Sequence, residues 1–148
     1  NAHVFNHAGK PWLSQYWVRK VTEQAYGGTT IDSGYGGHDE DQGQMGGVSA
    51  LMSMGIFSLD GTNALEPRYE LTSPVFDEIT ISLNKKYYPG NEFKIITVNN
   101  SAENVYIQKA SLNDQSLETY WFPHKTYANG GELQIVLGSE PNKNWGKK

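Results

Sequence analysis

The stretch "SLDGTNALEP", residues 58–67, separates two parts of the chain with different rhythms. Before it, apolar residues recur with a helical period; after it, the period falls to two. The stretch itself gathers Asp, Gly, Asn and Pro, whose side chains bond their own backbone or fix unusual φ and so favour turns. The fold class read from this break is α+β: an N-terminal helix pair followed by an antiparallel β-sheet or sandwich. One unit over 1–148 is expected, with residues 3–60 helical and residues 61–148 forming the β unit.

Upstream of the break, Pro11 suits the first position of a helix. Leu13, Trp17, Val21 and Ala25 then recur every four residues until Gly27 and Gly28, which predicts a helix over 11–26. Met45, Val48, Met52 and Gly55, with Leu51 and Ile56 beside them, predict a second helix over 41–54. Downstream, Ile79, Ile81 and Leu83 alternate with Thr80 and Ser82. Phe93 and Ile95 flank Lys94, Val105 and Ile107 flank Tyr106, and Leu133, Ile135 and Leu137 flank Gln134 and Val136. Between these strands, "YYPGNE", "VNNSAEN", "LNDQS" and "ANGGE" carry turn chemistry. No internal repeat, low-complexity tract or linker interrupts the pattern.

Composition excludes several functions. The 148 residues are 37% hydrophobic and 12% aromatic, enough for a core, and the net charge of −4 is spread along the chain. No Lys/Arg cluster interleaves with aromatics, so nucleic acid is not an expected partner. No apolar run reaches the roughly 18 residues that a membrane span requires. With no cysteine, disulfides and thiolate zinc sites are excluded. The opening "NA" before "HVFNHAGKPW", without methionine, reads as a tag remnant or as the start of a piece of a longer protein.

Glycine pairs bracket the most acidic segment, "GGHDEDQGQMGG", residues 36–47. Asp39, Glu40 and Asp41 there admit three readings. Carboxylates at a helix start satisfy free backbone N–H groups and meet the positive end of the macrodipole, the commonest reason for acids in that place. A calcium loop of the EF-hand type fails on spacing: counting from Asp39, Gly43 stands at the fifth ligand position and Ala50 where a bidentate glutamate is required. Calcium held by ligands from several segments stays open. The third reading is acid–base chemistry, since two aspartates one residue apart couple, and one can poise the other to activate water. Gly46 and Gly47 each cost about 1 kcal/mol inside a helix relative to alanine, so close approach of a substrate or a packed helix is expected there.

"FNHAGKPWLSQYWVRK", residues 5–20, then "GHDEDQGQM", residues 37–45, and "SALMSMGIFSL", residues 49–59, together resemble the C-terminal part of the catalytic domain of glycoside hydrolase family 92, the calcium-dependent exo-α-mannosidases. "YELTSPVFDEITISL", "NNSAENVYIQKASLN" and "GGELQIVLGSEPNKNWG" are similar to the family's terminal strands, so the resemblance runs over nearly the whole chain. It implies a piece of an (α/α)6 barrel, normally joined to an N-terminal β-sandwich. It also implies hydrolysis of terminal α-mannosides, α-1,2 linkages in particular, with inversion. Asp39 and Asp41 match the family's Asp-x-Asp pair. By that match Asp41 is the base that deprotonates water and Asp39 positions the same water. Inversion places the acid and base roughly 6.5–9.5 Å apart. No glutamate here sits in the general acid's motif, so the acid belongs to the missing N-terminal part of the same enzyme, and the chain alone is expected to be inactive.

His38 and Gln44 are the candidate substrate contacts, against a structural hydrogen bond and a helix cap respectively. The implied cofactor is calcium, with ligands mostly outside this chain. Some of its contacts in the family lie just upstream of "FNxAG", where this chain has His3; a lone histidine there reads by itself as solvated. Trp12 and Trp17 read as core of the helix pair rather than as a sugar-stacking platform. The chain departs from many members in having Gly46, Gly47 and Val48 after "GQM", where they place a Trp-Tyr pair. Mannose-containing glycans are the implied partners, and the implied location is periplasmic, secreted or cell-surface. A homo-oligomer formed through the helical third is expected of the fragment. The rival reading is a non-catalytic β-rich module binding carbohydrate or protein. Exposure of Tyr87, Tyr88, Tyr106, Tyr120 and Trp121 along one sheet face favours that rival, and burial favours a support role.

Overall fold

The computed structural model describes residues 2–26, 28–30, 44–61 and 63–147. Helices come first: α1 (Val4–His7), α2 (Pro11–Ala25) and α3 (Gln44–Met54). Among the described residues eight strands follow, β1 (Ile56–Phe57), β2 (Arg68–Leu71), β3 (Glu78–Ser82), β4 (Glu92–Val98), β5 (Tyr106–Leu112), β6 (Gln115–Ser116), β7 (Trp121–Pro123) and β8 (Gly131–Gly138), with a short helix α4 (His124–Ala128) between the last two.

Pro11 opens α2 as expected, since its missing N–H is one that no helix partner would have bonded. Gly55 closes α3 at φ +72, and a β-carbon there would lie 2.6 Å from the Pro74 ring, so both conformation and contact require glycine. Its carbonyl accepts from Thr72 N–H at 2.8 Å, which turns the chain directly from helix into sheet.

The strands form two sheets, a three-stranded one in the order β1-β2-β7 and a five-stranded one in the order β3-β4-β8-β5-β6. The alternation read from the sequence lies on the larger sheet. Phe93, Ile95, Ile107, Leu133, Ile135 and Leu137 point into one core with Ile56, Leu71, Phe122 and Trp145. Trp145 closes that core from beyond β8, and its indole N–H donates to Leu117 O at 2.9 Å.

Three expectations need correction. The β unit is mixed, because β4 and β8 run parallel, from Phe93 beside Gly131 to Val98 beside Val136. Parallel neighbours need a long crossover, and here the chain passes through β5, β6, β7 and α4 before β8 inserts between β4 and β5. The three-stranded sheet and α4 were not anticipated, since β1, β7 and α4 are too short to show a period. Finally, the stripe that α2 buries is Pro11, Ser14, Gln15, Val18 and Arg19, one position round from the apolar one, and Trp17 is 45% exposed rather than core.

Candidate active site

The polar stripe of α2 has a purpose that apolar periodicity cannot report. Gln15, buried, accepts the backbone N–H of Ile107 through Oε1 at 2.9 Å, filling a bond that strand β5 would otherwise lack. Arg19 donates through Nε to Ser73 Oγ at 3.0 Å, and through its second guanidinium nitrogen to Asn100 Oδ1 and to Ser101 O. One turn earlier, Ser14 Oγ accepts from Asn6 N–H at 3.1 Å and so ties α1 to α2. Glu70 on β2 is buried, and its two oxygens accept from Asn6 Nδ2 and His7 Nε2, both at 2.8 Å. Buried amides, a guanidinium and a carboxylate thus fasten the helices to both sheets. Each makes at least one hydrogen bond, as desolvation demands, although the buried Asn6 Oδ1 accepts none among the described residues.

That seam holds α2, and Tyr26 just after it and Met45 on α3 flank residues 27–43 in the sequence. Tyr26 OH lies 3.7 Å from Met45 Sδ, which brings the two stems of the segment together. Beneath this contact lies a cavity of about 340 Å³, lined by His3, Val21, Tyr26, Val48, Met52 and Phe57. Here the expectation of a solvated His3 is overturned. The ring is 2% exposed and stacks on Phe57 with centroids 4.2 Å apart. Burial holds its pKa down at about 4, because the charged imidazolium would lose its hydration, so His3 is neutral near pH 7.

Of the candidate residues, His38, Asp39 and Asp41 lie outside the described residues. Gln44 opens α3, but its side chain also lies outside what is described. Among the described residues no group of three or more His, Asp or Glu could hold a metal ion, and His3, a nitrogen donor against an aromatic ring, does not fit the oxygen-seeking calcium ion. Glu70, Gln15 and Arg19 were missed in the sequence. Their only signal there is polarity at positions where neighbouring elements bury their side chains.

The aromatic residues that were to discriminate the rival reading divide. Tyr87 is 70% exposed, whereas Tyr88, Tyr106, Tyr120 and Trp121 are half-buried. Tyr88 packs on Tyr127 and Tyr120 meets His7 edge-on, so these two rings act in support, whereas Trp121 lines an open cleft.

A family model described as the glycosyl hydrolase family 92 catalytic domain matches residues 1–139. An uncharacterized secreted glycosidase of Arthroderma benhamiae is 32% identical over 145 residues, which cover 97% of this chain and 17% of that protein. The family GH92 inverting mannosidase BT2199 of Bacteroides thetaiotaomicron superposes with a TM-score of 0.83 at 31% identity, covering 99% of this chain and 19% of that one. The GH92 α-mannosidase BT3965 of the same organism has the same fold, with a TM-score of 0.87 at 22% identity over 99% of this chain and 18% of its own. The chain thus spans less than a fifth of the length of each. Sequence and fold agree along almost all of its residues, from the α1 segment through β8, and on that agreement the chain belongs to glycoside hydrolase family 92.

Proposed function

We propose that the chain is the C-terminal portion of an exported enzyme that removes terminal α-linked mannose from glycans, cutting α-1,2 linkages with inversion. Asp41 takes a proton from water as the water oxygen attacks the anomeric carbon, and Asp39 holds that water in line. A carboxylic acid from outside this chain protonates the departing glycosidic oxygen, so the two carboxyl groups act from opposite faces of the sugar. His38 and Gln44 contact the substrate. Calcium would be held by ligands mostly outside this chain and would there supply a Lewis acid to the sugar hydroxyls. The helices are part of an (α/α)6 barrel and the β unit packs as a sandwich beside it.

The observation that carries this reading is the family match over residues 1–139, which runs through the acidic motif. BT2199, described as an inverting mannosidase, supports the stereochemistry, and the secreted glycosidase of Arthroderma benhamiae supports export. No described helix is long and apolar enough to cross a membrane. By itself the chain lacks the acid and is inactive. Val4 and Trp17, about half exposed on the helical third, are the apolar surface through which it self-associates.

The test uses the longer enzyme. Asp41→Asn and Asp39→Asn each lower kcat by about 10²–10⁴-fold, the usual contribution of a positioned acid or base. The double variant loses much less than the product of the two, because residues acting on one water behave as a unit. Helix caps would behave oppositely: stability would fall by about 1 kcal/mol while kcat stayed within a few-fold, and that result would remove the catalytic assignment.

A further inference from the structure

The three-stranded sheet has an outer face that is only half covered. Arg68 pairs with Pro123 and Glu70 with Trp121, so these four share one face, while Tyr69 and Phe122 point the other way. At one end α1 covers Glu70 through Asn6 and His7. At the other end a cleft of about 470 Å³ opens, lined by Leu65, Glu66, Arg68, Trp121, His124 and Lys125. Its walls are tied together: His124 N–H donates to Pro67 O at 2.8 Å, and His124 Nδ1 lies 3.3 Å from Tyr69 OH.

Charge makes this cleft distinctive. The Arg68 guanidinium lies over the Trp121 ring, 5.0 Å from its centre, a contact that steadies the fork without using its N–H donors. Ion pairs among the described residues join His7 to Glu70, Lys20 to Glu23 and Lys94 to Glu92. Arg68 and Lys125 enter none of them, although the chain carries a net charge of −4. Exposed Glu66, in the same cleft, pairs with neither cation. Two cations without carboxylate partners among the described residues therefore stand beside an indole, a fully exposed leucine and one carboxylate able to accept hydrogen bonds from hydroxyls.

We propose that this cleft is a second ligand site, which binds a sugar residue carrying an oxyanion, either a uronate carboxylate or a sugar phosphate. The guanidinium fork takes the oxyanion in a bidentate pair and Lys125 adds a second charge. The sugar's apolar face lies against Trp121 and Leu65, and its hydroxyls donate to Glu66. The sugar as carrier rests on the glycosidase reading above; the affinity for an oxyanion rests on the cleft alone.

The 148-residue chain is titrated with glucuronate, mannose 6-phosphate, mannose and inorganic phosphate. Binding is followed by calorimetry and by the indole N–H resonance that Trp121→Phe removes. Saturable binding of at least one acidic sugar is expected, about tenfold tighter than mannose or phosphate, as one charged bidentate contact supplies. Added salt weakens it. Arg68→Lys, which keeps the charge and loses the fork, lowers affinity about tenfold with an unchanged melting temperature, since the Arg68 side chain holds no other polar partner among the described residues. Equal affinity for mannose would overturn the proposal, as would phosphate binding as tightly as the acidic sugars or no saturable binding at all. Because hydrolysis is not the readout, such a failure leaves the mannosidase reading to its own test.

Discussion

Phe122 stacks on Phe93 with centroids 5.6 Å apart inside an apolar cluster, whereas α2 meets the β unit through the amide of Gln15, bonded to strand β5, and the guanidinium of Arg19, bonded to loop residues. Both places are buried, but they do different work. Apolar packing is non-directional and proportional to area, so the β core supplies most of the favourable free energy. Buried hydrogen bonds add little net energy, yet they are costly to leave half-made, so the helical seam admits one docking register and penalises the others. In sequence the acidic motif follows α2, the helix whose place is set by these directional contacts.

The largest expected effect contrasts the two places directly. Phe122→Ala leaves a cavity in the core and should cost about 3–5 kcal/mol, seen as a cooperative loss of melting temperature. Gln15→Ala leaves the buried N–H of Ile107 without its acceptor and should cost about 1–3 kcal/mol. Hydrogen exchange should separate them further. Gln15→Ala should expose amides of α2 and of β5 near Ile107, while β8 keeps its protection relative to global stability. Equal costs with the same exchange pattern would mean that seam and core are one cooperative body, and the distinction would fail.

The same contrast explains what could be read in advance. Strands β3, β4 and β8 were legible because one of their faces is apolar and the other wet, which is the pattern that alternation detects. Helix α2 was legible in extent but not in orientation. Its buried side is chosen by hydrogen bonds to Ile107, Ser73 and Asn100, contacts remote in sequence. The parallel pairing of β4 with β8 was hidden for a related reason, since the two strands are too far apart for turn chemistry to report on their direction. At the candidate site the motif itself was legible as residue types and as a family pattern. The buried contacts of the helical third, His3 on Phe57 and Glu70 under α1, left no periodic trace.

His3 offers a second, smaller test, because it is the buried titratable group beneath the stems of the acidic segment. Its pKa is about 4 folded against an ordinary 6.5. Above pH 6.5 both the folded and unfolded chains hold it neutral, and it does not alter stability. As pH falls from 6.5 towards 4, the unfolded chain binds a proton that the folded chain refuses, so stability drops, by up to about 3 kcal/mol in the limit. Melting curves between about pH 7.5 and about pH 4.5 should show this slope in the parent and a shallower one in His3→Phe, which keeps a ring against Phe57. Carboxylates titrate in both chains, so the difference isolates the histidine. Parallel slopes would mean that His3 is not desolvated in solution.

The smallest effect concerns Gly47, exposed on α3 just beyond the acidic motif. A β-carbon there would meet no described atom within 4 Å, so packing among the described residues does not require glycine. In the chain alone, Gly47→Ala should therefore raise stability by up to about 1 kcal/mol, through helix propensity and a less free unfolded state. That rise should move the melting temperature upward by a few degrees and leave the rest of the seam unchanged. The longer enzyme should respond differently if the bare backbone admits a sugar or another helix. A sugar would make Gly47→Ala lower kcat/KM without loss of stability, and a packed helix would make it lower stability instead. A gain in stability with unchanged kcat/KM in the longer enzyme would mean that neither approaches, and that this face of α3, unlike the polar seam of α2, is simply solvated.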